Sequence, residues 1–176
     1  SKLKVELGRL SEDESKEAVQ LSVNAETCGG IGQVDRIAKA LVRLSKLRWD
    51  LVLWIGSNEL ESVPESVWEL ANLEELWLNS NRIKTLSPAI TKLTKLRKLW
   101  IGYNPFKSFF EVVCQLEQLE VLFVSGCQLS VLPSSFASLR NLLELHLGNN
   151  AFEQFPEVIC ELRSLRKLWL NGNELS

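Results

Sequence analysis

The stretch 73-LEELWLNSNRI-83 sets Leu76 and Leu78 in alternation with Glu75, Trp77 and Asn79, the pattern of a short strand with one buried face. Its spacing returns as Leu96-x-x-Leu99-x-Ile101-x-x-Asn104-x-Phe106 and as Leu119-x-x-Leu122-x-Val124-x-x-Cys127-x-Leu129. Two further copies start at Leu142 and, in part, at Leu165, and an earlier one holds Leu53, Ile55, Asn58 and Leu60. The interval is 23 residues. A single strand cannot bury its apolar side alone, so repeats of this kind stack in parallel and share one continuous core. The asparagines at 58, 81, 104, 150 and 173 are expected to turn their amides onto loop backbone groups that have no ladder partner. Between strands, "VPESVWEL", "LSPAITKL", "LPSSFASL" and "FPEVICEL" place a proline near the start and apolar residues three to four apart. That spacing predicts a short helical turn on the outer face.

The LxxLxLxxNxL pattern resembles the leucine-rich repeat family over residues 51–176, and the LPxxL segments resemble its intracellular members of the Ras-suppressor and Scribble type. The resemblance implies an α/β solenoid, a curved array with a parallel sheet on its concave face and short helices or turns on its convex face. Carried back by 23 residues, the register would put Gly30 and Gly32 at core positions, which glycine cannot fill. The first repeat is therefore read as divergent over 18–50. Ala18–Val23 is its strand and Gln33–Leu47 an amphipathic helix with Val34, Ile37, Leu41 and Leu44 inward, a spacing similar to the longer ribonuclease-inhibitor type of repeat. Residues 1–17, with Ser11 and Glu14 spaced as a capping box, are expected to shield that strand. All three segments form one domain.

The chain has 176 residues, 45% of them hydrophobic and 24% charged, with a formal net charge of -2. This near-neutral balance offers no broad basic field for a phosphate backbone, which argues against nucleic acid. No apolar run reaches the roughly 18 to 20 residues that span a bilayer, and no signal segment opens the chain, so membrane insertion is not expected. A start at Ser1 without Met and a stop at Ser176 partway through a repeat lead us to expect a piece of a longer protein. Of the four cysteines, Cys114 and Cys160 occupy one repeat position two repeats apart, about 10 Å at ordinary strand spacing and beyond disulfide reach. Cys127 takes an Asn position. With no Asn-x-Ser/Thr sequon and no clustered-cysteine caps, Cys28 and its fellows point to a reducing, cytoplasmic location.

Chemistry is sparse. "CGGIGQVD" lacks the Gly-Lys-Ser/Thr ending of a nucleotide loop and reads as a glycine-rich loop before a helix. His146 is the only histidine, too little for a metal site. Glu75 and Glu144 stand three repeats apart, about 14 Å, too far for paired-carboxylate catalysis. No enzyme activity, cofactor or metal is expected.

What remains is the exposed face of the strands. Trp54, Trp77, Trp100, Phe123, His146 and Trp169 recur every 23 residues at the outward position. One flanking column runs Val52, Glu75, Lys98, Val121, Glu144, Lys167; the other, of small residues expected to leave the rings uncovered, runs Gly56, Asn79, Gly102, Ser125, Gly148, Asn171. Glu75 with Lys98 and Glu144 with Lys167 form expected ion pairs between neighbouring strands. Large aromatics bury about 150 to 250 Å² each and are enriched at binding hot spots, so the column, with Tyr103 and these four charged residues, is the expected partner-binding surface. An alternative is a stacking ladder that strengthens the sheet by roughly 0.2 to 1 kcal/mol per pair. The family resemblance implies a protein partner on the concave face, for a scaffold or adaptor. It equally fits a recognition or autoinhibitory domain of a larger enzyme, such as a Roco-type GTPase, a kinase or a ubiquitin ligase. The last strand, with Leu168, Leu170 and Leu175 and no segment after it, is expected to self-associate.

Overall fold

In the computed structural model the described residues are 18–22, 31–44, 50–106 and 108–176. The alternating segments form β1 (Ala18–Ser22), β2 (Asp50–Trp54), β3 (Leu73–Trp77), β4 (Lys98–Trp100), β5 (Val121–Phe123), β6 (Glu144–His146) and β7 (Lys167–Trp169). Every pairing is parallel and the sheet order follows the chain. Register holds at 23 residues from β3 onward, so Leu76 faces Leu99 and Trp77 faces Trp100. This is a curved α/β solenoid with its sheet on the concave side.

The first repeat is longer. Ala18 pairs with Asp50, a step of 32 residues, and the extra length holds the helix α1, Ile31–Leu44. The helix begins two residues before the expected Gln33 and takes Gly32 into its first turn, where the glycine is exposed. Val34 and Ala38 are buried and Ile37 packs against the core as expected, whereas the side chains of Leu41 and Leu44 lie outside the described residues. Asp35 accepts a 2.8 Å hydrogen bond from Ser66 Oγ and fastens the helix to the next turn. The expected cap at 1–17, the glycine loop up to Gly30 and Cys28 fall outside the described residues.

Each later repeat returns through a single 3-10 segment: Glu65–Glu69, Pro88–Lys92, Glu111–Gln115, Ser134–Ser138 and Glu157–Glu161. Proline precedes or opens four of the five, fixing φ where no N–H is needed. Tight i to i+3 bonds such as Leu70 N to Val67 O close them. A five-residue return is short, and this keeps neighbouring repeats in contact on the convex side.

The core is a stack of equivalent leucines. Leu76, Leu99, Leu122 and Leu145 are fully buried, as are Leu78, Ile101, Val124 and Leu147 one step along. Burying one such side chain contributes about 1.5 to 3 kcal/mol. Phe106, Phe136 and Phe152 fill the wider outer part, Phe136 meeting Phe109 edge-on at 5.1 Å.

The asparagines do what their spacing implied. Asn81 Oδ1 accepts from the N–H groups of Asn58 and Leu60, both at 3.0 Å, while its Nδ2 donates to Ile55 O and Leu78 O. Asn150 repeats the arrangement in full, while Asn104 and Asn173 donate to two carbonyls in the same way and accept from one N–H each, that of Ile83 and of Phe152. At Cys127 the thiol stands in: Sγ donates to Ile101 O and Ser125 O, at 3.7 and 3.5 Å. A thiol has no amide oxygen to offer, and Phe106 N turns instead to Asn104 O at 2.8 Å. Burial pushes the Cys127 thiol pKa up to about 11, so it stays protonated and able to donate.

Candidate functional site

Strand alternation holds the aromatic column on the concave face, and the parallel register brings the six rings side by side. Their contacts are uneven. Trp77 and Trp100 stack at 3.7 Å between centroids with 8° between planes, and Trp54 leans on Trp77 at 4.9 Å and 48°. His146 and Trp169 stack at 3.8 Å and 7°, and Phe123 tilts on His146 at 5.2 Å. Among the described residues no ring contact joins Trp100 to Phe123, so the column is two stacks.

Gly102 explains the break. A Cβ at this position would lie 2.5 Å from Phe123 Cε1, so the missing side chain is the seat into which the phenyl ring leans. There Phe123 meets Tyr103 at 6.1 Å. Tyr103, at φ 54° and 48% exposed, in turn lies over Gly126, whose own Cβ would clash with its ring. Of the glycines in the column of small residues, Gly102 alone seats a ring of the aromatic column. Gly102 is covered by Phe123, while Gly56 and Gly148 are covered by Asn79 and Asn171. Val52 departs from expectation, being buried at the head of its column between register neighbours Gln20 and Glu75.

Stacking changes what the surface offers. The faces of the interior rings are turned on one another along the solenoid, so Trp77 and Trp100 are only half-buried and present edges to the concavity. Ring edges carry the positive side of the quadrupole and suit acceptor groups better than cations. Trp77 Nε1 is buried with no hydrogen-bond acceptor among the described residues. Trp54 and Trp169, at the ends of the stacks, are the most exposed, at 38% and 37%.

The charged residues pair as their spacing implied. Lys98 Nζ meets Glu75 Oε1 at 2.5 Å, and Lys167 Nζ meets Glu144 Oε1 at 2.5 Å. Exposed pairs of this kind are worth about 0 to 1 kcal/mol. Arg97 and Glu120, a pair the sequence reading passed over, join at 2.6 Å. Their separation of 23 residues was the available signal.

Burial between Phe123 and Trp169 holds His146 below its ordinary pKa near 6.5; Glu144 opposes this and Lys167 adds to it. A depressed histidine binds protons more readily unfolded than folded, so its contribution to stability is complete above 6.5 and lost as pH falls through the depressed value. We expect the His146 imidazole to titrate by NMR below the free-histidine value, with stability declining on that acid side. His146→Phe should remove this component, and an unshifted titration would refute the assignment.

Among the described residues no group of histidine, cysteine or acidic side chains is placed to hold a metal, and no helix is long and apolar enough to cross a membrane.

Comparison with known proteins follows from this geometry. Family models described as leucine rich repeats match residues 71–112 and 117–175. A search of curated protein sequences returns no match. Among solved structures, a leucine-rich repeat protein of Leptospira interrogans is 31% identical with a TM-score of 0.68, over 77% of this chain and 34% of its own. An internalin from Listeria monocytogenes is 28% identical with a TM-score of 0.64, over 77% of this chain and 38% of its own. The leucine-rich repeat ectodomain of a plant membrane receptor kinase from Arabidopsis thaliana, in complex with Casparian strip integrity factor 2, is 28% identical with a TM-score of 0.61. That match covers 75% of this chain and 16% of the ectodomain. The chain thus spans about a third of the length of the first two solved relatives.

Proposed function

Since this chain belongs to the leucine-rich repeat family, whose members are generally protein-interaction modules and not enzymes, we propose that it binds a protein partner on its concave face, as a scaffold or adaptor. The observation that carries this reading is the aromatic column, open at Trp54, Tyr103 and Trp169 and flanked by the Glu75–Lys98 and Glu144–Lys167 pairs. Rings exposed at 38% and 37% at the two ends of the column, with Tyr103 at 48%, keep large apolar side chains within reach of a partner. Stacking and binding are compatible, because rings already ordered by their neighbours lose little entropy when covered. Hydrogen exchange on the complex with a partner recovered from native extract tests it. Protection is expected along β3–β7, and protection confined to the 3-10 segments would place the interface on the convex side instead.

The proposed location is the cytoplasm. Cys114 and Cys127 are buried free thiols and Cys160 an exposed one, an arrangement suited to a reducing compartment. Thiol titration of the unfolded, unreduced protein is expected to find all four cysteines free; a single disulfide would overturn this placement.

We propose also that the 176-residue chain self-associates through β7. Leu168 and Leu170 are only partly buried, whereas their counterparts Leu145 and Leu147 are fully covered, and Leu175 is exposed. An open strand edge beside apolar side chains is a template for pairing. Sedimentation should show concentration-dependent dimers that Leu168→Lys abolishes, and a monomer at all concentrations would refute it.

A further inference from the structure

A second surface lies away from the strands, on the flank where the chain runs from β5 and β6 toward the following 3-10 segments. At one position of that flank the repeats carry the polar residues Ser62, Thr85, Ser108 and Gln154, but one repeat carries Val131, and it is 69% exposed. Two residues that line up with the buried Val63, Leu86 and Phe109, namely Leu132 and Phe155, are opened to solvent here, Phe155 to 43%. With Pro156 and Val158 they line a groove of about 640 Å³ between the two repeats. That volume is in the range of sites that hold a small ligand or a few side chains.

The rim is acidic. Glu153 and Glu157 border the groove, both exposed, and no Lys or Arg is among its lining residues. Neither carboxylate enters an ion pair among the described residues. Glu59, Glu75, Glu120 and Glu144, by contrast, each meet a cation one repeat away. At the groove the charge is unmatched beside the exposed Val131 and Phe155, with Ser130, Ser134 and Gln154 completing the lining.

We propose that this flank groove is a second docking site, separate from the concave column, and that its occupant is a peptide segment of a partner carrying apolar side chains flanked by lysine or arginine. The apolar residues would cover Val131 and Phe155, and the flanking cations would sit against Glu153 and Glu157. Unmatched carboxylates in a groove lined also by exposed apolar side chains favour such a segment over an acidic or purely apolar one, and they speed its approach at low salt.

The probe is a short synthetic peptide with a leucine pair between lysines, set against the same peptide with glutamates for the lysines, titrated into isotopically labelled protein. The cationic peptide is expected to shift the amides of Val131, Phe155 and Val158, and the acidic one to leave them unmoved. Val131→Ser with Phe155→Ser should weaken binding about tenfold or more, with a thermal melt on the same sample showing that the fold is kept. Glu153→Lys with Glu157→Lys should reverse the preference between the peptides. Trp77→Ala with Trp100→Ala should leave the peptide titration unchanged, so failure here is distinct from failure of the concave-face reading. Equal binding of the two peptides, no binding of either, shifts confined to the aromatic column, or groove amides that broaden with protein concentration alone, which would seat a second copy there, each overturns the proposal.

Discussion

Asn81→Ala is expected to destabilise the fold by about 3 to 5 kcal/mol, as much as a large core truncation. The side chain serves four buried backbone groups at once: the N–H of Asn58 and of Leu60, and the carbonyls of Ile55 and Leu78. An orphaned buried group costs about 1 to 3 kcal/mol, and the 7% exposure of Asn81 leaves little room for water to replace the amide. Asn81→Cys is the informative control. At Cys127 the thiol already serves two carbonyls in the equivalent place, so cysteine should recover part of the loss through its donor and none through the missing acceptor. Urea unfolding followed by tryptophan fluorescence gives the difference, and hydrogen exchange at β2 and β3 localises it. A cost below about 1 kcal/mol for the alanine variant would mean that the loop finds other partners and that the ladder is not a main support of the fold.

Trp77→Ala combined with Trp100→Ala is expected to abolish partner binding, at about 2 kcal/mol or more for each ring, while the chain stays folded. The two indoles form the tightest stack on the concave face, at 3.7 Å, and stand between Trp54 and the seat at Gly102 where Phe123 leans away. Removing one alone would leave the other without its stacking neighbour and confuse a loss of contact with a loss of order; the double variant removes the surface as a unit. Their contribution to the fold is smaller, about 0.2 to 1 kcal/mol for the cross-strand pair, because the buried leucines on the opposite face carry the sheet. Binding isotherms and a thermal melt on the same samples separate the two readings. Normal binding, or a melt that collapses together with binding, would make the column a stacking ladder only.

How much of this was legible beforehand varies from residue to residue. The alternation of Leu76 and Leu78 with Trp77 was enough to place the tryptophan outward, because strand pleat leaves no other choice. The pairing of Lys98 with Glu75 followed from an interval of 23 residues once the sheet was known to be parallel and in register. Val52 was misplaced because burial at the head of the array depends on what the first repeat lays beside it, and that repeat does not share the common length. At the glycines of the flanking column the pattern left the occupant open for a related reason. A small residue in a pattern says that space is left, and only the neighbouring strand says whether Phe123, Asn79 or Asn171 takes it.

The sequence by itself determined the repeat, its register, the buried and exposed faces of each strand and the asparagine ladder, since these depend on period and on the obligations of backbone polar groups, both local and repeated. Only the tertiary structure decided how the outward rings divide their contacts, that the break falls at Gly102, and that Val131 and Phe155 open a groove with an unmatched acidic rim. These depend on side-chain packing between residues about one repeat apart, where a missing Cβ or a leaning ring redirects its neighbour, and a one-dimensional pattern records which residues meet but not how they share the space between them.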